Sequence, residues 1–196
     1  RRRIADRRPD RRRPLRRRAC PHVIRITQGA VNSENDAMPV RRTIHGFPPV
    51  ADRRARVLIL GSMPGEESLR AGQYYAHPRN AFWKLMGELF DAGTELPYAK
   101  RAQRLKKAGV ALWDALACCA REGSLDSAID KTSITANDFP RFFSAHPRIT
   151  HVFFNGATAE RCFRAHVLPR LDVPALQLAR LPSTSPAHAA RSYAQK

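Results

Sequence analysis

Four short segments rich in apolar residues recur along the chain, and each is followed by small or polar residues. Segments with apolar residues at helical spacing lie between them. This alternation predicts a mostly parallel four-stranded sheet with helices on both faces, a three-layer α/β/α sandwich. The predicted strands are Val57–Leu60, Val110–Trp113, His151–Phe154 and Val173–Leu178. Because ligands bind beyond the carboxyl ends of the strands in such sheets, the residues that follow each strand are the first candidates for a functional site.

The spacing of the apolar residues also predicts the helices. Ala81–Phe90 places five apolar side chains on one face, which we expect to be core: Phe82, Leu85, Met86, Leu89 and Phe90. Further helices are predicted from Pro97 to Lys107, from Thr135 or Asn137 to Phe143, over Ala157–Val167, and from Ala187 onward. Residues 119–134 are predicted to form a loop.

The first predicted strand leads into the most informative stretch of the chain. Residues 61–65 read Gly-Ser-Met-Pro-Gly, and residues 74–83 read Tyr-Tyr-Ala-His-Pro-Arg-Asn-Ala-Phe-Trp. The glycines allow tight turns and the close approach of a ligand. A plain surface loop is the alternative, but such a loop has no need of so many aromatic and polar side chains. The stretch therefore favours a ligand site.

These two stretches, together with Leu-Pro-Ser-Thr-Ser-Pro-Ala at residues 181–187, resemble the hypoxanthine-DNA glycosylase branch of the uracil-DNA glycosylase superfamily. They are similar, less closely, to the mismatch-specific uracil glycosylases. The resemblance runs from about His45 to the C-terminus. It implies the three-layer fold of that superfamily and a monofunctional DNA repair enzyme. Such an enzyme flips a deaminated base out of the duplex and hydrolyses its N-glycosidic bond, with hypoxanthine first and uracil in G/U mismatches second.

The resemblance implies catalytic roles for Asn80 and Ser62. Asn80 matches the asparagine that orients the attacking water, and its carbonyl oxygen suits that task because the electrophilic sugar needs a positioned water more than a strong base. The alternative is that Asn80 caps the helix beginning at Ala81. Ser62 stands where other branches carry Asn or Asp, which puts efficient uracil excision in doubt.

The base itself is expected to contact three residues. Tyr75 matches the aromatic residue that stacks under the flipped base; the alternative is that it packs on the neighbouring helix. The backbone amide of Met63 is a candidate donor to a base carbonyl. Asn155, at a strand end, offers both a donor and an acceptor for a base edge, or is a turn residue before Gly156.

The remaining candidates are expected to contact the DNA backbone. Ser183, Thr184 and Ser185 lie between two prolines, and short hydroxyl side chains in a rigid loop suit phosphate binding. His77 is a candidate phosphate contact or a loop-stabilising residue, and His188 is a candidate phosphate contact or a solvated side chain. No large apolar residue follows Leu181 to fill the space that the flipped base leaves, so we expect weakly paired bases to be favoured.

The net charge of +18 supports a polyanionic partner. Residues 1–37 contain 12 Arg and 4 acidic residues, and residues 38–196 contain 23 basic and 13 acidic residues, which leaves +10 on the predicted domain. A charge that only aids solubility is the alternative. The predicted partner is double-stranded DNA with deaminated or mismatched bases, bound by a monomer. A non-catalytic nucleic-acid-binding α/β domain and a small-molecule hydrolase of similar fold are the rival interpretations.

The composition divides the chain into a disordered basic tail, residues 1–37, and one glycosylase domain, residues 38–196. Because Met38 begins a stretch typical of a protein start, a mis-called translation start is a second explanation of the tail. The four cysteines form no C-x-x-C pair, and neither a metal nor an organic cofactor is expected. The tail lacks the apolar core of a signal peptide, so a cytoplasmic, nucleoid-associated protein of bacterial type is expected.

Overall fold

The computed structural model describes residues 42–172 and 176–196. Its strands are β1 (Thr43–His45), β2 (Val57–Gly61), β3 (Val110–Asp114), β4 (Leu116–Ala120), β5 (Thr135–Ala136), β6 (His151–Asn155) and β7 (Gln177–Leu181). Its α-helices are α1 (Glu66–Ala71), α2 (Phe82–Phe90), α3 (Tyr98–Lys107), α4 (Phe139–Ala145) and α5 (Ala157–His166). Short 3-10 helices lie at Asp126–Ala128, Lys131–Ser133, Leu168–Arg170 and Tyr193–Gln195.

Four strands form a parallel sheet in the order β3-β2-β6-β7, as the alternation predicts. The strands extend to the polar residues that follow the apolar runs, since Gly61 pairs with Asp114 and Asn155 pairs with Leu181. The carboxyl ends of neighbouring strands are therefore level. The last strand begins at Gln177, later than the predicted Val173; residues 173–175 of that prediction lie outside the described residues.

Successive residues of β2 and β3 point to opposite faces of the sheet, and nearly all of them are buried. Both faces are thus covered, which confirms the predicted sandwich and explains why these strands read as continuous apolar runs. Aromatic side chains of α4 pack in the same core, where Trp113 lies 4.9 Å from Phe139 and 4.8 Å from Phe142 between ring centroids.

The sequence does not predict a second, antiparallel sheet of order β1-β4-β5, or the short helix α1. Its strand β4 begins two residues after β3 ends. In the sequence the two strands therefore look like one apolar segment that is interrupted by a polar residue. The predicted loop over residues 119–134 is accordingly wrong at its start, whereas its end agrees with the start of β5 at Thr135. Strand β4 continues to Ala120, and two 3-10 helices fill much of the rest.

Three helix details also differ from the predictions. In α2 the core face includes Trp83, whereas Leu89 is 65 % exposed. The cap of α4 is Asp138, whose side chain accepts a hydrogen bond from the Arg141 amide at 3.2 Å. The predicted helix from Ala187 is wrong, because Ser185 Oγ accepts from the Ala187 amide and the chain continues in turns until the 3-10 helix at Tyr193–Gln195.

The described residues all belong to one compact unit. The predictions for residues 1–37 lie outside the described residues. No helix within the ranges 42–172 and 176–196 combines the length and apolar character that crossing a bilayer requires.

Candidate active site

Gly61, Asp114 and Tyr75 meet at the carboxyl ends of β2 and β3. A Cβ atom at Gly61 would collide with Asp114 Oδ1 and would lie 3.0 Å from Tyr75 Oη. Only glycine therefore fits at the end of β2 when the carboxyl and hydroxyl groups hold these positions.

Asp114 is a buried carboxyl group, 3 % exposed, and it was missed as a functional residue because a polar residue after an apolar run reads as a strand end. Its Oδ2 atom has no hydrogen-bond partner among the described residues. Burial and the nearby charge of Asp126 raise the pKa of Asp114 to about 7, while Arg121 opposes the shift. The group is therefore protonated in much of the protein near neutral pH and can donate a hydrogen bond.

Tyr75 has a positive backbone φ of 54°, a conformation that costs free energy for a bulky residue and often marks a functional site. Its ring stacks on Phe82 of α2 with a centroid distance of 4.0 Å and an interplanar angle of 23°. One face of the Tyr75 ring therefore packs on the neighbouring helix, which was the alternative to stacking on a base. Its hydroxyl is buried without a hydrogen bond of good geometry and faces Asn155, and burial raises the pKa of Tyr75.

Ser62, the first residue after β2, donates its hydroxyl proton to Asp126, with distances of 2.8 Å to Oδ1 and 2.9 Å to Oδ2. Asp126 opens a 3-10 helix that lies 64 residues further along the chain. Nothing in the local sequence around either residue indicates this pair, so sequence analysis missed Asp126.

Arg121 is buried behind this pair, with a side chain that is 0 % exposed. Its Nε donates to the Gly123 carbonyl at 2.9 Å, and a second nitrogen donates to the Pro64 carbonyl. The third nitrogen lies 4.0 Å from Asp126 Oδ1 and has no hydrogen-bond partner among the residues that the structure describes. Arg121 therefore joins the loop after β2 to the loop after β4 and brings a positive charge close to Asp126. The sequence signal that could have indicated it is weak, since one arginine in a loop is usually solvated.

Asn80 lies just before α2 and is already engaged within the chain. Its side-chain Oδ1 atom accepts a hydrogen bond from the backbone amide of Phe82 at 3.0 Å. The backbone amide of Asn80 donates to the His77 carbonyl at 2.8 Å. The side chain therefore supports the helix start, as one alternative predicts, although Ala81 is the capping residue by position. A carbonyl oxygen has a second lone pair, so the water-orienting role stays a prediction. Likewise His77 Nδ1 accepts from the Arg79 amide at 3.1 Å, which stabilises the loop.

Asn155, at the end of β6, holds the Ser/Thr loop through Thr184. Its Oδ1 accepts from the Thr184 amide at 2.8 Å, and its Nδ2 donates to Thr184 Oγ1 at 2.9 Å. The Thr184 carbonyl in turn accepts from the Ala81 amide at 3.0 Å. These contacts bring the stretches 74–83 and 181–187, which are about 100 residues apart in sequence, together at one edge of the sheet.

The Ser/Thr loop is ordered by hydrogen bonds within itself. Ser183 Oγ accepts from the Ser185 amide at 3.2 Å, and the Ser185 carbonyl accepts from the His188 amide at 3.1 Å. Gly156 has φ 99°, and a Cβ there would lie 2.9 Å from the Ser183 Cβ, so the loop passes directly over the end of β6. The Met63 side chain points into a small core cluster, which leaves its backbone as the part that could act on a base.

The described residues contain no group of three or more His, Cys, Asp or Glu side chains placed to hold a metal ion. The polar groups that meet at this edge of the sheet are two carboxyl groups, a buried guanidinium, a serine, a tyrosine and two amides. Such a set can bind and polarise an uncharged polar ligand through hydrogen bonds and through charge.

A model of the uracil DNA glycosylase superfamily matches residues 48–196. The chain belongs to the uracil DNA glycosylase superfamily. This membership confirms the resemblance seen in residues 61–65, 74–83 and 181–187, and with it the prediction of a DNA N-glycosylase that acts on DNA. The superfamily assignment also counts against the rival interpretation, an unrelated small-molecule hydrolase of similar fold.

Individual relatives agree with the superfamily assignment. The chain is 40 % identical over 112 residues to a hypoxanthine DNA glycosylase of Methanosarcina barkeri, covering 57 % of this chain and 70 % of that protein. It is 40 % identical over 115 residues to a hypoxanthine DNA glycosylase of Methanosarcina acetivorans, covering 58 % and 72 %. A solution NMR structure of a Methanosarcina acetivorans protein assigned to the uracil DNA glycosylases superposes with a TM-score of 0.61 at 35 % identity, covering 77 % of this chain and 90 % of that one.

Proposed function

We propose that this chain removes deaminated bases from double-stranded DNA, hypoxanthine first and uracil in G/U mismatches second, by hydrolysis of the N-glycosidic bond after base flipping. One observation carries the proposal. Asp114 Oδ2 and Tyr75 Oη are buried polar atoms without good partners, and both groups adjoin Gly61. Because buried polar atoms are nearly always hydrogen-bonded, a pair left unpaired beside a ligand edge implies a partner that arrives with the ligand.

The hydrogen-bonding edge of hypoxanthine fits this pair. Deamination converts the adenine edge into a lactam, with an N–H donor beside a carbonyl acceptor. A protonated Asp114 presents the matching donor and acceptor, as an asparagine side chain would. Uracil carries the same lactam edge on a smaller ring, which is consistent with its place as the second substrate. The relatives named hypoxanthine DNA glycosylase support hypoxanthine as a substrate.

The other proposed contacts surround this edge. Tyr75 supplies a stacking face backed by Phe82, so its ring is held in place before the base arrives. The Met63 amide donates to a base carbonyl. Asn155 faces the Tyr75 hydroxyl while it holds Thr184, so it joins base recognition to the loop that binds DNA.

The chemical step needs a water at the anomeric carbon of the sugar. Loss of the base leaves an oxocarbenium-like sugar that a water attacks readily once it is oriented. We assign that orientation to the second lone pair of Asn80 Oδ1 and to Ser62 Oγ. The first lone pair of Asn80 is used by the Phe82 amide, which fixes the direction of the side chain.

The phosphates beside the flipped nucleotide are assigned to the Ser/Thr loop. Ser183 and Ser185 carry hydroxyls in an internally bonded loop, and we assign His77 and His188 to the same task of contacting phosphates. The loop offers no large side chain to insert into the duplex. Flipping therefore depends on weak pairing of the target, and inosine and mismatched uracil meet that condition.

The test is single-turnover excision from duplexes that differ only in the target base: hypoxanthine, uracil opposite guanine, adenine and guanine. We expect release of hypoxanthine to be fastest, uracil to be slower, and adenine and guanine to remain in place. Asn80→Ala serves as the matched inactive variant, which should still bind the lesion duplex. Faster release of uracil than of hypoxanthine would contradict the base ranking, and no release of any base would contradict the function.

A further inference from the structure

The proposed hydrolysis leaves one chemical need unmet, which is the fate of the proton of the attacking water. An amide such as Asn80 orients a water but does not accept its proton, because the amide is not basic. A serine hydroxyl alone does not do so either. A base for this proton must therefore come from another group of the fold that lies close to Ser62.

Asp126 is bonded directly to that position. Both of its carboxylate oxygens lie within 2.9 Å of Ser62 Oγ, so the serine hydroxyl proton is directed at the carboxylate. The lone pairs of Ser62 Oγ are then free to accept a hydrogen bond from another donor. A hydroxyl that already donates to an anion is also a stronger acceptor, since hydrogen bonds in a chain polarise one another.

The surroundings hold Asp126 in place and leave it within reach of solvent. Its side chain is 36 % exposed, whereas Arg121 behind it is fully buried and anchored to two loop carbonyls. The titratable and charged groups that interact with Asp126 are Arg121, Asp114, Tyr75, Cys119 and Cys162. Asp126 is thus one of two carboxyl groups at the site, and its charge helps to raise the pKa of the other, Asp114.

We propose that Asp126 acts through Ser62 to align the attacking water and to take up its proton. This inference rests on the proposed function. Asp126 touches Ser62 rather than the reacting atoms, so it is a positioning residue. Its negative charge also stabilises the developing positive charge on the sugar.

In this step the water oxygen bonds to the anomeric carbon while the bond from that carbon to the base nitrogen breaks, and the electron pair of the broken bond leaves with the base. The water proton passes to Ser62 Oγ as the Ser62 proton passes to Asp126. The departing base takes a proton from solvent, and Asp126 later returns its proton to solvent.

The experiment compares Asp126→Asn with Glu122→Gln on the deoxyinosine duplex. Asp126→Asn keeps an acceptor for the Ser62 hydroxyl and removes only the basic carboxylate, while Glu122→Gln removes the same charge from an exposed position in the same loop. We expect Asp126→Asn to lower the single-turnover rate about 100-fold or more, as for loss of a general base, and to change duplex affinity by less than about 3-fold. Glu122→Gln should keep the wild-type rate.

Two further readouts separate this role from a structural one. The wild-type rate should rise with pH on its acid side, and Asp126→Asn should flatten that rise at a reduced rate. Adding Ser62→Ala to Asp126→Asn should lower the rate little further, because residues that act as a unit are not additive. An Asp126→Asn protein with the wild-type rate, or additive losses in the double variant, would overturn the inference alone. A wild-type protein that releases no base overturns the proposed function and this inference together.

Discussion

At the scale of single residues, Asp114 carries the largest free-energy cost at the site. Its pKa is about 7 in the folded chain, against an ordinary value of 3.8, so between these pH values the folded state holds a proton that the unfolded chain has released. The free energy of unfolding therefore falls as pH rises through this window and levels off above about 7. At about 1.4 kcal/mol per pKa unit, the full cost is on the order of 4 kcal/mol.

Asp114→Asn should remove this cost, because the amide is neutral at every pH in the window. We expect the variant to gain stability at pH 8, to match the wild type at pH 4, and to lose the slope between them. Urea denaturation at pH 4, 5, 6, 7 and 8 measures the slope directly. The same variant should keep hypoxanthine excision above pH 7, where the wild type loses its proton and slows. An unchanged slope in Asp114→Asn would show that Asp114 is ionised throughout.

Tyr75 is predicted to act through its ring face. Stacking of a base on an aromatic side chain is worth about 1–3 kcal/mol, so Tyr75→Ala should weaken binding to a duplex with a non-cleavable deoxyinosine analogue by about 5- to 150-fold. Tyr75→Phe keeps the ring and its packing on Phe82 and loses only the hydroxyl, so it should bind more weakly than the wild type but more tightly than Tyr75→Ala. Fluorescence anisotropy measures both. If Phe is as damaging as Ala, the buried hydroxyl and not the ring carries recognition.

At the scale of elements, the site depends on one loop held at two points. Asn155 bonds twice to Thr184, and the Thr184 carbonyl accepts from the Ala81 amide, so the loop after β7 is joined to both β6 and the start of α2. Thr184 is 7 % exposed, so these bonds are shielded from water. The loop and the Tyr75 to Asn80 segment are therefore expected to move together.

Asn155→Ala should release this loop, leaving the buried Thr184 hydroxyl and amide without partners. We expect a loss of roughly 1–3 kcal/mol in stability and weaker binding of every duplex, with or without a lesion. Gln177→Ala, which removes an exposed amide at the start of β7 and leaves the Asn155 bonds intact, is the control. Thermal melts and anisotropy test both effects. A stable Asn155→Ala protein that binds undamaged DNA normally but loses only lesion binding would instead assign Asn155 to the base edge.

The elements also show where sequence reasoning succeeds. The four parallel strands and the edge that carries Gly61, Asn155 and the Ser/Thr loop follow from apolar runs and the residues after them, which are local signals. The Ser62–Asp126 bond is not predictable in this way, because it joins residues 64 positions apart, with three α-helices and the strands β3 and β4 between them. The helix from Ala187 fails for a different reason: hydroxyl side chains in the loop bond to the backbone amides that a helix would use.

At the scale of the whole molecule, charge is divided between the tail and the domain. Residues 1–37 contribute 12 Arg and 4 acidic residues, yet every proposed site residue lies between Ser62 and His188. The domain, from residue 38 onward, keeps a formal charge of +10 by itself. The tail is therefore proposed to add sequence-independent attraction to DNA, while the domain performs recognition and chemistry.

Deletion of residues 1–37 should separate these contributions. Each phosphate contact that the tail makes adds about 0.9 to the slope of log affinity against log salt on duplex DNA, so the truncated protein should bind undamaged duplex more weakly at low salt and with a shallower slope. Its single-turnover rate at saturating enzyme should equal that of the full chain, since no group that contacts the base or the water is removed. A full-length variant with the 12 tail arginines changed to glutamine is the matched control, because it loses the charge and keeps the length. It should bind like the truncated protein. A truncated protein that folds but turns over more slowly at saturation, while the glutamine variant does not, would place residues of the tail in the active site.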